Sequence, residues 1–561
     1  MLVADAIVKT LKDEEVEIVF GICGGYLFWL LRGFETAGIR TIPSRHEGAA
    51  AFMSAGYAQA SGKIGVVFGQ GPGAINLLTG VASAYVDSVP MLAIASQAPT
   101  SLYAADSHQE ATGSNFGVDQ LPAFRTMTRA QFRVPSAVSA LRSTQRALAI
   151  ANGERGPVML EVPSNILGEE INPTFIASEQ YRVEAERVDV AAVAEAAALL
   201  TAAKRPVLVI GNRATHRGIA DDLRALCERN ELPFVVMDYA KGIIPEDHPL
   251  YAGVVGWCGH EAAHTYVESA DLVITLGARL DSKSTTNYDA SLYKNLVQID
   301  DTASEIGRNF PFKLGVLGDI PATVRALLDA TSGAKIERSL SADIAELRRE
   351  HHTYDEAQAT STSDKLGSAH VMHVLRKLLP RQTQVVGDSG LNLHYLKRFF
   401  PVHAPDGFFC LYGWAAMGSG LPVAMGVQIA KPDDVVLSVI GDGGLLVYAG
   451  EMQIMAEYNL PVIVVCMNNA GYSQVSSYMS KFIGSEFGCA IQEIDAAKIA
   501  QGFGCDGYTV RTSQELETAV KTALQRRRPT VIDVKLTGDN LEDVMLPRVE
   551  GFVGSTYAKK K

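Results

Sequence analysis

The sequence predicts an α/β protein built from three open, parallel-sheet domains. Three observations carry this. A chain of 561 residues is too long for a single hydrophobic core. Short continuous apolar runs alternate with helix-period segments along nearly its whole length, the pattern of strands buried on both faces. Two polar stretches, 173–188 and 332–365, interrupt the alternation and read as linkers, leaving domains at 1–172, 190–330 and 365–545. With 47% hydrophobic and 20% charged residues, the chain belongs with globular enzymes rather than disordered or membrane proteins. A net charge of -12 argues against a nucleic-acid surface, and Lys559, Lys560 and Lys561 read as a solvated terminus. The seven cysteines (Cys23, Cys227, Cys258, Cys410, Cys466, Cys489, Cys505) form no C-x-x-C pair and read as reduced core thiols of a cytoplasmic protein. The N-terminal segment carries Asp13, Glu14 and Glu15 within an amphipathic helix, so it is not read as a signal peptide; no membrane span is expected.

The elements follow in order. In the first domain, helix 4–13 leads to strand 17–20, a glycine turn at Gly21–Gly25, helix 26–35 and strand 40–43. Arg45-His46-Glu47 then opens a helix of small residues, Gly48 to Ala58, against which something must pack closely. Glu47 in its first turn is well placed for the helix dipole. Strand 64–68 ends in Gly69-Gln70-Gly71-Pro72-Gly73-Ala74-Ile75-Asn76, a turn with a ready N-cap. Strand 91–96 precedes the polar loop Asp106-Ser107-His108-Gln109-Glu110, and Gly156 to Pro163 supplies the last strand. The second domain has strands at 205–210, 233–237, 272–276 and 296–299. The third opens with Gln384 to Asn392, strand, glycine turn and helix start, where free amides suit phosphate oxygens.

The most informative stretch is Val435 to Gln474. A buried strand, 435–440, runs into Gly441-Asp442-Gly443-Gly444; a helix-period segment continues to about Tyr458; a second strand, 462–467, ends on Asn468-Asn469-Ala470-Gly471. This is a βαβ unit with an acid at the tip of one strand and an amide at the tip of the next. Ligands of open α/β sheets sit at such carboxyl ends. One carboxylate with neutral oxygens is what Mg²⁺ accepts when phosphate completes its octahedron. Taken alone, the loop reads equally as a plain glycine turn.

G-D-G, then 24 residues (444–467), then N-N resembles the thiamin-diphosphate motif of the acetolactate synthase/pyruvate decarboxylase superfamily. The resemblance implies three Rossmann-like domains: pyrimidine-binding, central and diphosphate-binding. It implies Mg²⁺ held by Asp442, the Asn469 side chain and the Gly471 carbonyl. Glu47 would be the glutamate that bonds the pyrimidine nitrogen and starts proton removal from the thiazolium carbon, a relay suited to an apolar pocket. Gly73 and Asn76 belong to a G-P-G-x-x-N turn that lines the cofactor and the subunit contact. Gly390, Leu391 and Asn392, with Gly441, Gly443 and Gly444, would flank the diphosphate. In Tyr412 to Pro422, Met417 matches the apolar wedge that bends thiamin, and the Ala415 carbonyl would receive its amino group; a lone methionine would otherwise be core filler. Cofactor sites shared between two chains imply a homodimer at least, and in the common arrangement a homotetramer.

The resemblance implies an enzyme that makes or breaks a carbon–carbon bond next to a carbonyl, acting on a 2-oxo acid, an aldehyde or an acyloin. The first reading is an acetolactate-synthase-like carboligase/decarboxylase; the second is a benzaldehyde-lyase-like or 2-hydroxyacyl lyase. A catalytically silent relative would lack part of the set Glu47, Asp442 and Asn469, which is complete here. Gln109 is shared with the acetolactate synthase and benzaldehyde lyase branches, and the pair His108-Gln109 with the carboxyethylarginine synthase branch. Tyr26 is a candidate proton donor or a helix-start core aromatic. The chain departs from the branched-chain enzymes in having no tryptophan after Trp414, and from benzaldehyde lyases at Cys23 and Tyr26, where those have histidines. Gly253 to His260 and Gly277 to Asp281 resemble the segments that hold FAD in acetolactate synthases, but Ser282-Lys283-Ser284 replaces their Asp-Arg pattern and speaks against FAD.

Overall fold

The computed structural model describes residues 1–114, 116–182, 186–354, 366–536 and 541–545. Lys365, the expected start of the third domain, the end of the second linker and the tail Lys559–Lys561 lie outside the described residues.

Among the described residues eighteen strands form three six-stranded sheets, and every pairing between them is parallel. Across the first sheet lie Arg40–Pro43, Ile18–Gly21, Gly65–Gln70, Met91–Gln97, Pro157–Pro163 and Ala130–Arg133. Across the third lie Phe408–Phe409, Gln384–Gly387, Val436–Gly441, Ile463–Asn468, Thr530–Lys535 and Asp506–Val510. Numbered along the chain, both run 2-1-3-4-6-5, so each reverses direction between its first and third strands. That is the switch point where open sheets bind ligands. The central sheet differs: Leu314–Leu317, Leu296–Asp300, Leu272–Leu276, Pro206–Ile210, Phe234–Met237, Tyr251–Val255, the order of dinucleotide-binding folds. The inner strands are buried along most of their length, as continuous apolar runs require when helices cover both faces.

The small-residue helix Glu47–Ser61 has the close neighbour its composition demands. It crosses Gly420–Ala430 of the third domain. A Cβ on Gly426 would collide with the Met53 carbonyl, and one on Gly56 with that of Val423. Backbones approach to a distance that only glycine permits, so the first and third domains share one core. The central domain is tied to the third by the buried Asp238–Lys397 ion pair at 2.8 Å and by Glu246, which accepts the Val402 amide at 2.8 Å while pairing with Lys241 of its own domain and accepting the Tyr251 and Tyr354 hydroxyls at 2.9 Å.

Two expectations are corrected. The segment from Asp442 to Tyr458 is not one helix: Asp442–Val447 and Met452–Glu457 are separated by a 3₁₀ turn at Ala449–Glu451. Tyr448 leaves the helical region (φ -125°, ψ 32°), which lets its ring pack on Phe52 and His46 of the first domain. Contact across domains overrides the periodicity. The thiols are all free but not all in the core: Cys23 is exposed on its glycine turn and Cys410 is half-buried. Among the described residues no helix is long and apolar enough to cross a membrane.

Gly426→Ala should destabilise the chain by about 1–3 kcal/mol through overpacking, despite the ~1 kcal/mol that alanine brings to a helix interior. Gly153→Ala, at a position where a Cβ meets nothing within 4 Å, should be neutral. Thermal unfolding of the two variants checks the pair; equal melting temperatures would contradict the close-packed seam.

Candidate functional site

At the switch point of the third sheet, strand Val436–Gly441 ends on Asp442, which is 2% exposed. Its Oδ1 accepts the Gly443 amide at 2.7 Å and its Oδ2 the Gly471 amide at 3.2 Å. Burial raises the carboxyl above the usual aspartate range, against the pull of the amides of residues 443 and 469–471. Among the described residues no lysine, arginine or histidine pairs with it. The amides of Gly443 and Gly471 make the short contacts, and among the described residues no side chain donates to the carboxylate. The glycines around it have distinct reasons. A Cβ on Gly443 would lie 2.6 Å from the Tyr472 ring, and one on Gly444 would collide with Asp388. Gly441 faces only Asn392 Oδ1, at 3.5 Å from where its Cβ would stand, and keeps the floor of the turn clear.

Asn469 and Gly471 follow the neighbouring strand, Ile463–Asn468, and return to Asp442 because Ala470 adopts a left-handed backbone (φ 60°). The turn is stapled to residues 489–491: the Tyr472 amide donates to the Cys489 carbonyl at 2.8 Å and the Ile491 amide to that of Ala470 at 3.0 Å. The backbone of Asn469 to Gly471 is thus gathered around Asp442. No cluster of three His, Cys, Asp or Glu that could hold a metal ion occurs among the described residues. On the first strand of this sheet, Gly390 has φ 134°, open to glycine, and starts helix Leu391–Phe399; Asn392 donates to the carbonyls of Asp388 and Val439 at 3.0 and 3.3 Å, closing the turn onto the Asp442 strand. Ala415 is left-handed at φ 58°, and Met417 beyond it is 39% exposed.

In the first domain, Glu47 Oε2 accepts the Asn76 side-chain amide at 3.0 Å, and its Oε1 lies against Gly73, where any Cβ would collide with it. The G-P-G-x-x-N turn thus packs directly on Glu47. The apolar pocket expected around Glu47 is not closed by this chain alone, where Glu47 is half-buried and Asn76 exposed. A second group forms at the switch point of the same sheet. The Tyr26 hydroxyl donates to the His108 carbonyl at 2.6 Å, and Gln70 bridges the Tyr26 amide and the Gln109 side chain at 2.7 Å each. His108 itself is exposed, and the Tyr26 proton is already engaged. No contact among the described residues joins the Glu47 group directly to Asp442.

Three partners, Gln70 half-buried and Asp388 and Glu451 buried, were not singled out by the motifs. Gln70 lies inside the G-Q-G-P-G turn but has no charge to mark it. Asp388 lies in the strand-end G-D-S-G. Glu451 accepts the amides of Arg45 and His46 at 2.9 Å each and so holds the start of the Glu47 helix. Burial pushes its carboxyl up to about 7.

This arrangement agrees with the comparisons. Three models of the thiamine pyrophosphate enzyme family match: the N-terminal TPP-binding domain at residues 1–121, the central domain at 193–327 and the C-terminal TPP-binding domain at 388–534. The chain belongs to the thiamine pyrophosphate enzyme family. Within it, the chain is of the acetolactate synthase-like group. It is 30% identical over 553 residues to a probable acetolactate synthase large subunit of Methanocaldococcus jannaschii, covering 95% of this chain and 91% of that one. It is 30% identical over 562 residues to the acetolactate synthase large subunit of Parasynechococcus marenigrum (97% and 89%). To the isozyme 2 large subunit of Escherichia coli it is 28% identical over 549 residues, covering 96% of each chain.

The Glu451 value sets a pH dependence. Its folded-state value lies above the ordinary glutamate range, so the stability it contributes is full in acid and is lost as the pH rises through about 7. His216, pushed down to about 3 by burial, acts the other way, since below its ordinary value only the unfolded chain takes up the proton. The melting temperature of the cofactor-free wild type should fall relative to that of Glu451→Gln as the pH rises from the ordinary glutamate range through about 7. Differential scanning calorimetry across this range checks it; an unchanged slope in the variant would contradict the assignment.

Proposed function

We propose that the protein is a thiamin-diphosphate- and Mg²⁺-dependent carboligase or decarboxylase acting on 2-oxo acids. The observation that carries the reading is the buried, cation-free Asp442 carboxylate, met only by backbone amides and set among glycine turns at a sheet switch point. Asp442, the Asn469 side chain and the Gly471 carbonyl would hold Mg²⁺, and the turns 390–392 and 441–444 would flank the diphosphate. Thiamin diphosphate, when bound, supplies the carbon nucleophile and electron sink for chemistry next to a carbonyl. The chain's own residues bind, orient and desolvate. Glu47 holds the mobile proton: Asn76 fixes Oε2 and Gly73 leaves Oε1 accessible. Ala415, outside any helix, presents its carbonyl, and Met417 supports the bend. Tyr26, Gln109 and Gly25 form the substrate wall, with Gly25 open to at least 4 Å beyond its missing Cβ.

A second copy of the chain would complete the site. Glu47 and Asp442 are not in contact within one chain. At the carboxyl edge of the third sheet, Trp414, Met417, Leu446, Val447 and Tyr472 are left exposed, a cluster of a kind that marks interfaces. We assign a homodimer as the minimal active unit.

FAD does not belong to this reading. In the segments that resemble the flavin-binding enzymes, the donors are already engaged internally. The amides of Val254 and Gly256 donate to His260 and His264 at 3.0 Å, and those of Lys283 and Ser284 to Asp281 at 2.9 and 3.1 Å. The space beside Gly256 is filled by Asp238 and Lys283, and Lys283 lies over the Tyr412 ring. The purified protein should carry no flavin absorbance.

The lyase reading is favoured by one feature, the absence of any tryptophan after Trp414. A panel of 2-oxo acids and acyloins decides: CO₂ release supports the proposal, aldehyde release from acyloins without CO₂ replaces it. Glu47→Gln should retain cofactor binding and lose about 10²–10⁴-fold in turnover. Asp442→Asn should weaken Mg²⁺-dependent cofactor binding by roughly tenfold or more, as measured by titration. Full activity in either variant would remove its assigned role.

A further inference from the structure

Asp388 follows strand Gln384–Gly387 at the switch point of the third sheet, and its side chain is fully buried. No lysine, arginine or histidine of the described residues faces the carboxylate. Its partners lie on the segment that carries Met417. The Gly418 amide donates to Oδ2 at 3.1 Å; the Gly420 amide and the Ser419 hydroxyl donate to Oδ1 at 2.9 and 3.3 Å. On its other side Oδ2 rests against Gly444, where a Cβ would collide with it, and the missing side chain of Gly420 makes room for the Asp388 Cβ at 2.7 Å. Its carbonyl accepts the Asn392 side chain at 3.0 Å.

One residue therefore touches all three segments assigned to the cofactor: the 390–392 turn, the 415–420 loop and the 441–444 turn. Capping helix Gly420–Ala430 would need only one acceptor, which a serine or threonine provides at lower desolvation cost than a buried, unpaired carboxylate. The two-sided geometry accounts for the acid. Oδ1 caps the helix, while Oδ2 spans from the Gly418 amide to the Gly444 backbone. A further carboxylate, Asp87 of the first domain, accepts the Gly413 amide at 3.3 Å and holds the opposite end of the loop.

We infer that Asp388 is a positioning residue of the cofactor site, which sets the Met417 loop at a defined distance from the 441–444 turn. The ring support and the diphosphate anchor then act in register on one molecule. The inference rests on the thiamin-diphosphate reading above. In Asp388→Asn, Oδ1 can still accept from Gly420 and Ser419, but the new NH₂ group faces the Gly418 amide, donor against donor. The loop beside Met417 is released while the helix cap survives.

The test uses the full chain with thiamin diphosphate and Mg²⁺. Asp388→Asn should change the near-ultraviolet circular dichroism of the bound cofactor and lower kcat at saturating cofactor on the order of ten- to a hundredfold. The cofactor-free melting temperature should move little. A lower melting temperature with an unaltered cofactor signal and unaltered kcat would overturn the inference, leaving Asp388 a structural cap. Should the variant not fold, hydrogen exchange on the wild type decides. Segments 413–420 and 441–447 should gain protection together on cofactor addition; protection of 441–447 alone overturns the inference. If the wild type shows no cofactor signal at all, the functional reading falls and this assignment with it.

Discussion

Burying a carboxylate without a cation is the constraint around which this molecule is arranged. Asp442 and Asp388 stand at neighbouring strand ends of one sheet, and both rely on backbone amides where most buried acids rely on a lysine or arginine. Burial accordingly pushes Asp388 up to about 6 and raises Asp442 as well. Amides can converge on a carboxylate only where the chain turns tightly and side chains stand aside. Gly418, Gly420, Gly443 and Gly444 answer to that requirement. A divalent cation at Asp442 would relieve the same desolvation that burial imposes.

The parallel sheets supply the setting. Repeating the order 2-1-3-4-6-5 in the first and third domains creates two equivalent switch points. One carries Gln70, Tyr26 and Gln109; the other carries the Asp388 and Asp442 turns. The seam between Glu47–Ser61 and Gly420–Ala430 then fixes one sheet against the other at backbone distance. Tyr448 and Glu451 extend that seam to the very start of the Glu47 helix, so Glu47 is registered to the segment that follows Asp442. The central domain contributes buried ion pairs and bracing, and its glycine segments are closed on themselves by His260, His264 and Asp281.

Much of this was legible in the chain. Parallel strands buried on both faces write themselves as unbroken apolar runs, so strands such as 272–276 and 91–96 could be read directly. The alanine- and glycine-rich helix after Glu47 announced a close neighbour, though not its identity. The βαβ pattern put Asp442 and Asn469 at adjacent strand tips, and they are adjacent because the two strands pair in parallel. What could not be read were residues whose role lies in a distant contact. Glu451 looked like one more acid on a helical stretch; it matters because it meets the amides of Arg45 and His46, more than four hundred positions away. Gln70 is uncharged and sits in a turn noted for its glycines. Tyr448 broke an expected helix because its ring had a better partner in another domain.

The sequence by itself determined the fold class, the domain order and the residue types at each strand tip, since local periodicity and turn chemistry act over a few residues. Only the tertiary structure decided which of those tips face one another, how the Met417 loop is bracketed by Asp87 and Asp388, and where the glycines of the central domain are already filled. Those outcomes depend on close packing and on which donor reaches which buried acid. Both are properties of distances between segments far apart in the chain, and no local pattern encodes them.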